Sequence, residues 1–182
     1  GIVHRLDKDT SGILLIARNT HAFEKLQAAF KQRDIIKTYY AIVHGHPPTY
    51  GTIRYNIERD PIYRQQMVHS YESGRKATTQ YHVVEYLQHH ALIKLRPITG
   101  RTHQLRLHCN ALGHPILGDS VYGRSSKLIN RQTLHAHSLT FVYENEKYHF
   151  QAPFPQDFQK TLQELRKRVH WSAYWKRLKH SG

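Results

Sequence analysis

A chain of 182 residues, 39% hydrophobic and 11% aromatic, holds one buried domain but not two. Its 27 Lys and Arg against 13 acidic residues leave a net charge of +14 before any of the 16 His is protonated. That excess repels itself and points to a polyanionic partner, nucleic acid first. Cys109 is the only cysteine, which excludes internal disulfides and Cys-based zinc sites.

The chain opens on a polar cluster, His4-Arg5-Leu6-Asp7-Lys8-Asp9-Thr10-Ser11-Gly12, placed just before an apolar run. Thr10, Ser11 and Gly12 suit a hydrogen-bonded turn, whereas Arg5 and Asp7 are left without a structural reason. An EF-hand would need Glu where Arg18 stands, so a calcium loop is excluded. The run Gly12 to Arg18 predicts a central strand. Asn19 or Thr20 then caps a helix with Phe23, Leu26 and Phe30 on one face.

Residues Lys37 to His44 predict a second strand, in which Tyr39 and Tyr40 point to opposite faces. One ring belongs to the core and the other is free to stack on a nucleobase; the sequence leaves the choice open. Tyr50 to Gly74 has no clear period and reads as a long loop or a weak hairpin. Thr78 to Leu87 and Ala91 to Ile98 predict strands joined by a His-rich turn.

At Thr99-Gly100 a strand hands over to a short helix capped by Thr102, with Leu105, Cys109 and Leu112 inward and Gly113 closing it. His103, Arg106 and Asn110 share another face. Backbone amides at such a start, flanked by Arg101 and Arg106, form a receptor for phosphate or carboxylate. His103 and His108 are five apart, off one helical face, so a metal is not expected. Leu134 to Tyr143 and Tyr148 to Ala152 predict a hairpin around Glu144-Asn145. A basic, amphipathic C-terminal helix occupies 156–182.

Strands and helices mix without regular βαβ alternation, so the expected class is α+β: a mixed, mainly antiparallel sheet with flanking helices. Residues 1–182 read as a single domain, incomplete at its N-terminal end. No apolar run is long enough for a membrane span and no signal peptide is visible, so a soluble, cytoplasmic protein is expected.

Taken together, the His-Arg-Leu-Asp turn with its Thr-Ser-Gly, Lys37-x-Tyr39-x-Ala41, Thr99-Gly100-Arg101-x-His103-Gln104-Leu105-Arg106, Leu112 to Asp119 and Leu134-His135-Ala136 resemble the RluA family of pseudouridine synthases. The resemblance runs in order from residue 1 to about 155. It implies the pseudouridine synthase catalytic fold, with N-terminal strands of the family lacking here. It further implies isomerisation of uridine in structured ribosomal RNA or transfer RNA, with no cofactor and no metal.

By the same resemblance Asp7 is the essential carboxylate and Arg106 its pairing partner. Tyr39 stacks on the base and assists removal of the C5 proton, and Arg5 fills the gap left by the flipped uridine. His4, Thr10, Arg101 and His103, in the same motifs, are expected to contact RNA, and a monomer is expected. A non-catalytic RNA-binding or ribosome-assembly module on this fold is the alternative, and DNA binding would leave the motifs unexplained.

Overall fold

The computed structural model describes residues 1–64 and 66–179, with side chains described as far as residue 169. Its elements run β1 (Ser11–Gly12), α1 (Thr20–Gln32), β2 (Ile36–His44), β3 (Tyr50–Arg59), β4 (Met67–Ser70), β5 (Arg75–Tyr86), β6 (His90–Pro97), α2 (Gln104–Ala111), β7 (Leu134–Tyr143), β8 (Glu146–Gln151) and α3 (Gln156–Lys179). The strands form one sheet in the order β1-β7-β2-β6-β5-β3-β4, with β8 paired to β7. Among the described residues only β1 and β7 run parallel. The expected mixed, mainly antiparallel α+β architecture is the one found.

Alternation along the strands sorts the core onto two faces. Ala41, Val43, Ile93 and Leu95 meet Leu105 and Cys109 of α2 on one face. Ile42 and Leu92 meet Phe158, Leu162 and Leu165 of α3 on the other. Helix α1 packs Leu26, Phe23 and Phe30 against Leu139 and Phe141 of β7. Asn19 caps it, its side chain accepting from the Ala22 amide at 2.8 Å.

Two expectations change, and one left open is decided. The run from Gly12 to Arg18 is not a central strand: Ser11 and Gly12 pair with β7 at the sheet's edge, and Ile16 makes one bridge to Ile2. Leu14 is 42% exposed and Ile16 58%, while Ala17 is buried. A continuous apolar run cannot by itself tell a two-sided strand from an edge one. Of the two readings left open for Tyr50 to Gly74, the hairpin is the one found, as β3–β4, because Ile53 and Ile57 give β3 a buried face. Thr102 does not cap α2; His103 holds that position at φ 55 with no side-chain cap bond.

The remaining elements fall where expected. Glu144 and Asn145, at φ 50 and 65, turn β7 into β8 with the twist a two-residue hairpin requires. The C-terminal helix exists through Lys179, and residues 180–182 lie outside the described residues. No described helix is long and apolar enough to cross a membrane.

Candidate active site

A cleft of about 430 Å³ opens over β2, between the C-terminal end of α1 and the turn that leads into α2. Its volume falls in the range of small-ligand sites. The opening turn supplies His4, Arg5, Asp7 and Thr10; β2 supplies Lys37 and Tyr39; residues 97–102 close the far side. Asp7 is the only carboxylate lining it among the described residues, against Arg5, Lys31, Arg33, Lys37 and Arg101.

The turn that presents Asp7 is held from below. The Thr10 amide donates to the Asp7 carbonyl at 3.0 Å, and Asp9 takes a left-handed φ of 67. Gln132 donates to the Lys8 carbonyl at 2.6 Å and to Thr10 Oγ1 at 3.3 Å, while Arg131 donates to the Asp9 carbonyl at 3.0 Å. Arg131 also forks onto Asp157 at 2.6 and 2.9 Å, tying the turn to α3. Gly12 then passes so close to β7 that an added Cβ would lie 2.1 Å from the Ala136 carbonyl oxygen, at φ 117. Only glycine fits there. The Thr-Ser-Gly of the motif is therefore the docking joint of this turn, with Ser11 Oγ 3.0 Å from His135 Nδ1.

Gln104 explains the second motif. It is 3% exposed, and all its polar capacity is used. Its carbonyl oxygen accepts from Thr99 Oγ1 at 2.7 Å and from the Arg101 amide at 3.0 Å. Its amide nitrogen donates to the Thr78 carbonyl and to Thr79 Oγ1, both at 3.0 Å. This one side chain binds the 99–101 turn to β5 and so sets the far wall of the cleft. Gly100 leaves room there for the Lys37 ammonium, which lies 3.4 Å from where a Cβ would stand.

Arg106 is the main surprise. It does not form an ion pair with Asp7. Its Nε and Nη2 each donate to Asp119, both at 2.7 Å, with the two side chains 7% and 0% exposed. The Val121 and Tyr122 amides donate to the same carboxylate at 3.0 and 3.1 Å. Burial opposes ionisation of Asp119, but the fork with Arg106 and those amides outweigh it and hold its pKa below the ordinary value. Asp119 is anchored by its own loop and takes up Nε and Nη2 of the guanidinium inside the core. The Asp7 charge still acts on Arg106, as it does on Tyr39, His103 and Tyr122.

Tyr122 gathers the helix face read from the sequence. Its hydroxyl lies 2.7 Å from His103 Nδ1 and accepts from the Met67 amide at 2.9 Å. Its ring stacks under the Arg106 guanidinium at 5.0 Å, and its carbonyl accepts from Asn110. His103 thus faces Tyr122, and its pKa is lowered, chiefly by burial. His4 is turned to internal use as well. Its Nε2 accepts from the Leu15 amide at 2.8 Å, its ring stacks on Phe30 at 4.6 Å, and burial then Lys37 lower its pKa to about 4.

Of the two tyrosines, Tyr39 lines the cleft and Tyr40 packs on the α3 side against Phe154 and His137. Burial, then the Asp7 charge, push the Tyr39 hydroxyl up to about 12. Arg101 stands at the rim, its Nε donating to the Lys76 carbonyl at 3.2 Å. Sequence reading therefore found His4, Arg5, Asp7, Thr10, Tyr39 and Arg101, which line the cleft, while His103 and Arg106 are absent from its lining. It missed Lys31, Arg33, Lys37, Gln104, Asp119 and Tyr122. Lys37, Gln104 and Asp119 lie inside the quoted motifs, so the signal was present but carried no geometry. Among the described residues no cluster of His, Cys, Asp or Glu could hold a metal ion.

Residues 1–111 match the family model described as RNA pseudouridylate synthase. The chain belongs to that family. It is 42% identical over 171 residues to ribosomal large subunit pseudouridine synthase D of Zymomonas mobilis, a match covering 87% of this chain and 54% of the relative. It is 41% identical to the uncharacterized RNA pseudouridine synthase YlyB of Bacillus subtilis, covering 92% of this chain and 56% of that one. The fold superposes on human RNA pseudouridylate synthase domain containing 1 with a TM-score of 0.78 and 34% identity, covering 85% and 69% of the two chains. The chain spans about half the length of the curated relatives it matches.

Proposed function

We propose that residues 1–182 are a catalytic domain that isomerises uridine to pseudouridine in structured RNA, ribosomal or transfer, with Asp7 as the essential carboxylate. One observation carries this reading: among the described residues Asp7 is the sole acid of a cleft lined by five Lys and Arg and by Tyr39. Such a cleft attracts the backbone of RNA and offers the base a flat partner. The names of the relatives, which are pseudouridine synthases including enzymes of the ribosomal large subunit, agree with it.

In the reaction the bond from ribose C1′ to uracil N1 breaks and a bond from C1′ to C5 forms. The C5 proton leaves and N1 ends protonated, so atoms and electrons balance without redox or phosphoryl transfer. Asp7 serves at the ribose while the freed base turns. The Tyr39 phenol is neutral at physiological pH given its raised pKa, which suits stacking and disfavours a direct role as base toward C5. Arg5 at the cleft mouth fills the place of the flipped nucleotide, whose extrusion costs a few kcal/mol. Arg106 acts on Asp7 through its charge, from a position that Asp119 secures.

The test is incubation of the purified protein with an unmodified transcript of large-subunit ribosomal RNA and with unmodified transfer RNA, followed by pseudouridine mapping. Discrete new pseudouridines support the proposal. Tight RNA binding with no conversion would favour the alternative, a binding module on this fold.

A further inference from the structure

The turn at Gly100-Arg101-Thr102 has two sides. One closes the cleft; the other walls a second groove of about 470 Å³, which continues onto β3, β4 and β5. Arg59, Met67, Ile57 and Arg75 line it. Strand register explains why they converge. Ile57 lies opposite both His69 and Arg75, and Arg59 lies opposite Met67. Residues two apart on a strand share a face, so Arg59 and Arg75 stand on the face where Ile57 and Ala77 meet Leu107 of α2.

Arg59, Arg75 and Arg101 thus present three guanidinium groups to one groove, and among the described residues none is ion-paired. Glu58, the groove's one acid among the described residues, accepts from Ser73 Oγ at 2.9 Å. Arg101 is held by the Lys76 carbonyl at the junction of the two depressions. Three like charges against one carboxylate leave the groove with an excess of positive charge, which an anionic ligand relieves. The guanidinium fork matches phosphate.

We propose that this groove is a backbone subsite for the phosphates that flank the target nucleotide on one side. The RNA strand passes from the cleft over Gly100 to Thr102 and onto the exposed ends of β3 and β5 at Arg59 and Arg75. The inference rests on the RNA reading of the cleft. Contacts in the groove are to phosphate, so they position the strand without reading its sequence.

The test compares the Arg59→Ala/Arg75→Ala variant with wild type on an unmodified large-subunit ribosomal RNA transcript, by binding across a salt series and by steady-state conversion. Lys94→Ala/Arg96→Ala removes the same charge from the exposed, opposite side of β6 and serves as control. The groove variant is expected to bind about tenfold more weakly. Its slope of log affinity against log salt should flatten by about 1.5, two phosphates' worth, with KM raised and kcat unchanged. The control should change far less, and Arg59→Lys/Arg75→Lys should keep the salt slope. An unchanged slope in the groove variant, or an equal loss in the control, overturns the subsite. Absence of conversion by wild type overturns the proposed activity instead, and the binding series still judges the groove.

Discussion

Arg106 and Asp119 form a two-pronged ion pair at 2.7 Å, almost wholly buried, in a position where Arg106 also feels the charge of Asp7. A guanidinium with five donors can serve a structural carboxylate and still project its charge toward a second one. The pair secures the arginine's place before substrate arrives, so no side-chain ordering is needed at the moment of reaction.

Asp119→Asn should therefore damage stability and activity together. Removing one partner of a buried pair leaves an uncompensated charge, at a cost of about 3–5 kcal/mol. Denaturant unfolding measures it, and a loss below about 1 kcal/mol would mean that the pair is not structural.

Asp7→Asn should behave differently. Asp7 lines the open cleft, and among the described residues it has no ion-pair partner, so stability should hold within about 0.5 kcal/mol. Conversion of uridine should vanish while RNA affinity stays within a few-fold of wild type. Retained conversion in this variant would remove Asp7 from the chemistry.

Gly12→Ala places a methyl group 2.1 Å from the Ala136 carbonyl oxygen at a φ of 117. The turn that carries Asp7 must then shift off β7. A destabilisation above about 1 kcal/mol is expected, with conversion falling further than RNA binding. Thermal melting and a binding isotherm separate the two effects, and a variant with wild-type melting and turnover would contradict the joint.

Acid should loosen the fold before the carboxylates titrate. Burial lowers His4, His90 and His108 to about 4 from 6.5. The unfolded chain then takes up protons that the folded chain refuses, so stability is greatest above about pH 6.5 and is lost as pH falls toward 4. His108, fully buried, accounts for about 3 kcal/mol of that loss. Melting temperature followed from pH 7.5 to 4.5 checks this, and His108→Gln should make the decline shallower. A flat profile would sink the argument.

Helices α1 and α2, strands β2, β5, β6 and β7, a cap at Asn19 or Thr20, the Glu144-Asn145 turn and the opposed faces of Tyr39 and Tyr40 could be read from local pattern. They depend on residues a few positions apart, where backbone geometry is nearly fixed. The cleft residues Asp7, Arg5 and Tyr39 were singled out by the resemblance of their motifs, since the strand pattern alone left Tyr39 and Tyr40 open. The partner of Arg106 was not. Asp119 is 13 residues away along a loop, and Tyr122 joins His103, Arg106, Asn110 and Met67 only after that loop folds back over α2. Likewise, whether Gly12 to Arg18 lies at the centre or the edge of a sheet depends on which strand pairs beside it. The amino-acid sequence determined the elements and the chemistry available; close packing of segments distant in the chain decided which charges meet, since a buried charge settles on whichever partner the fold brings within reach.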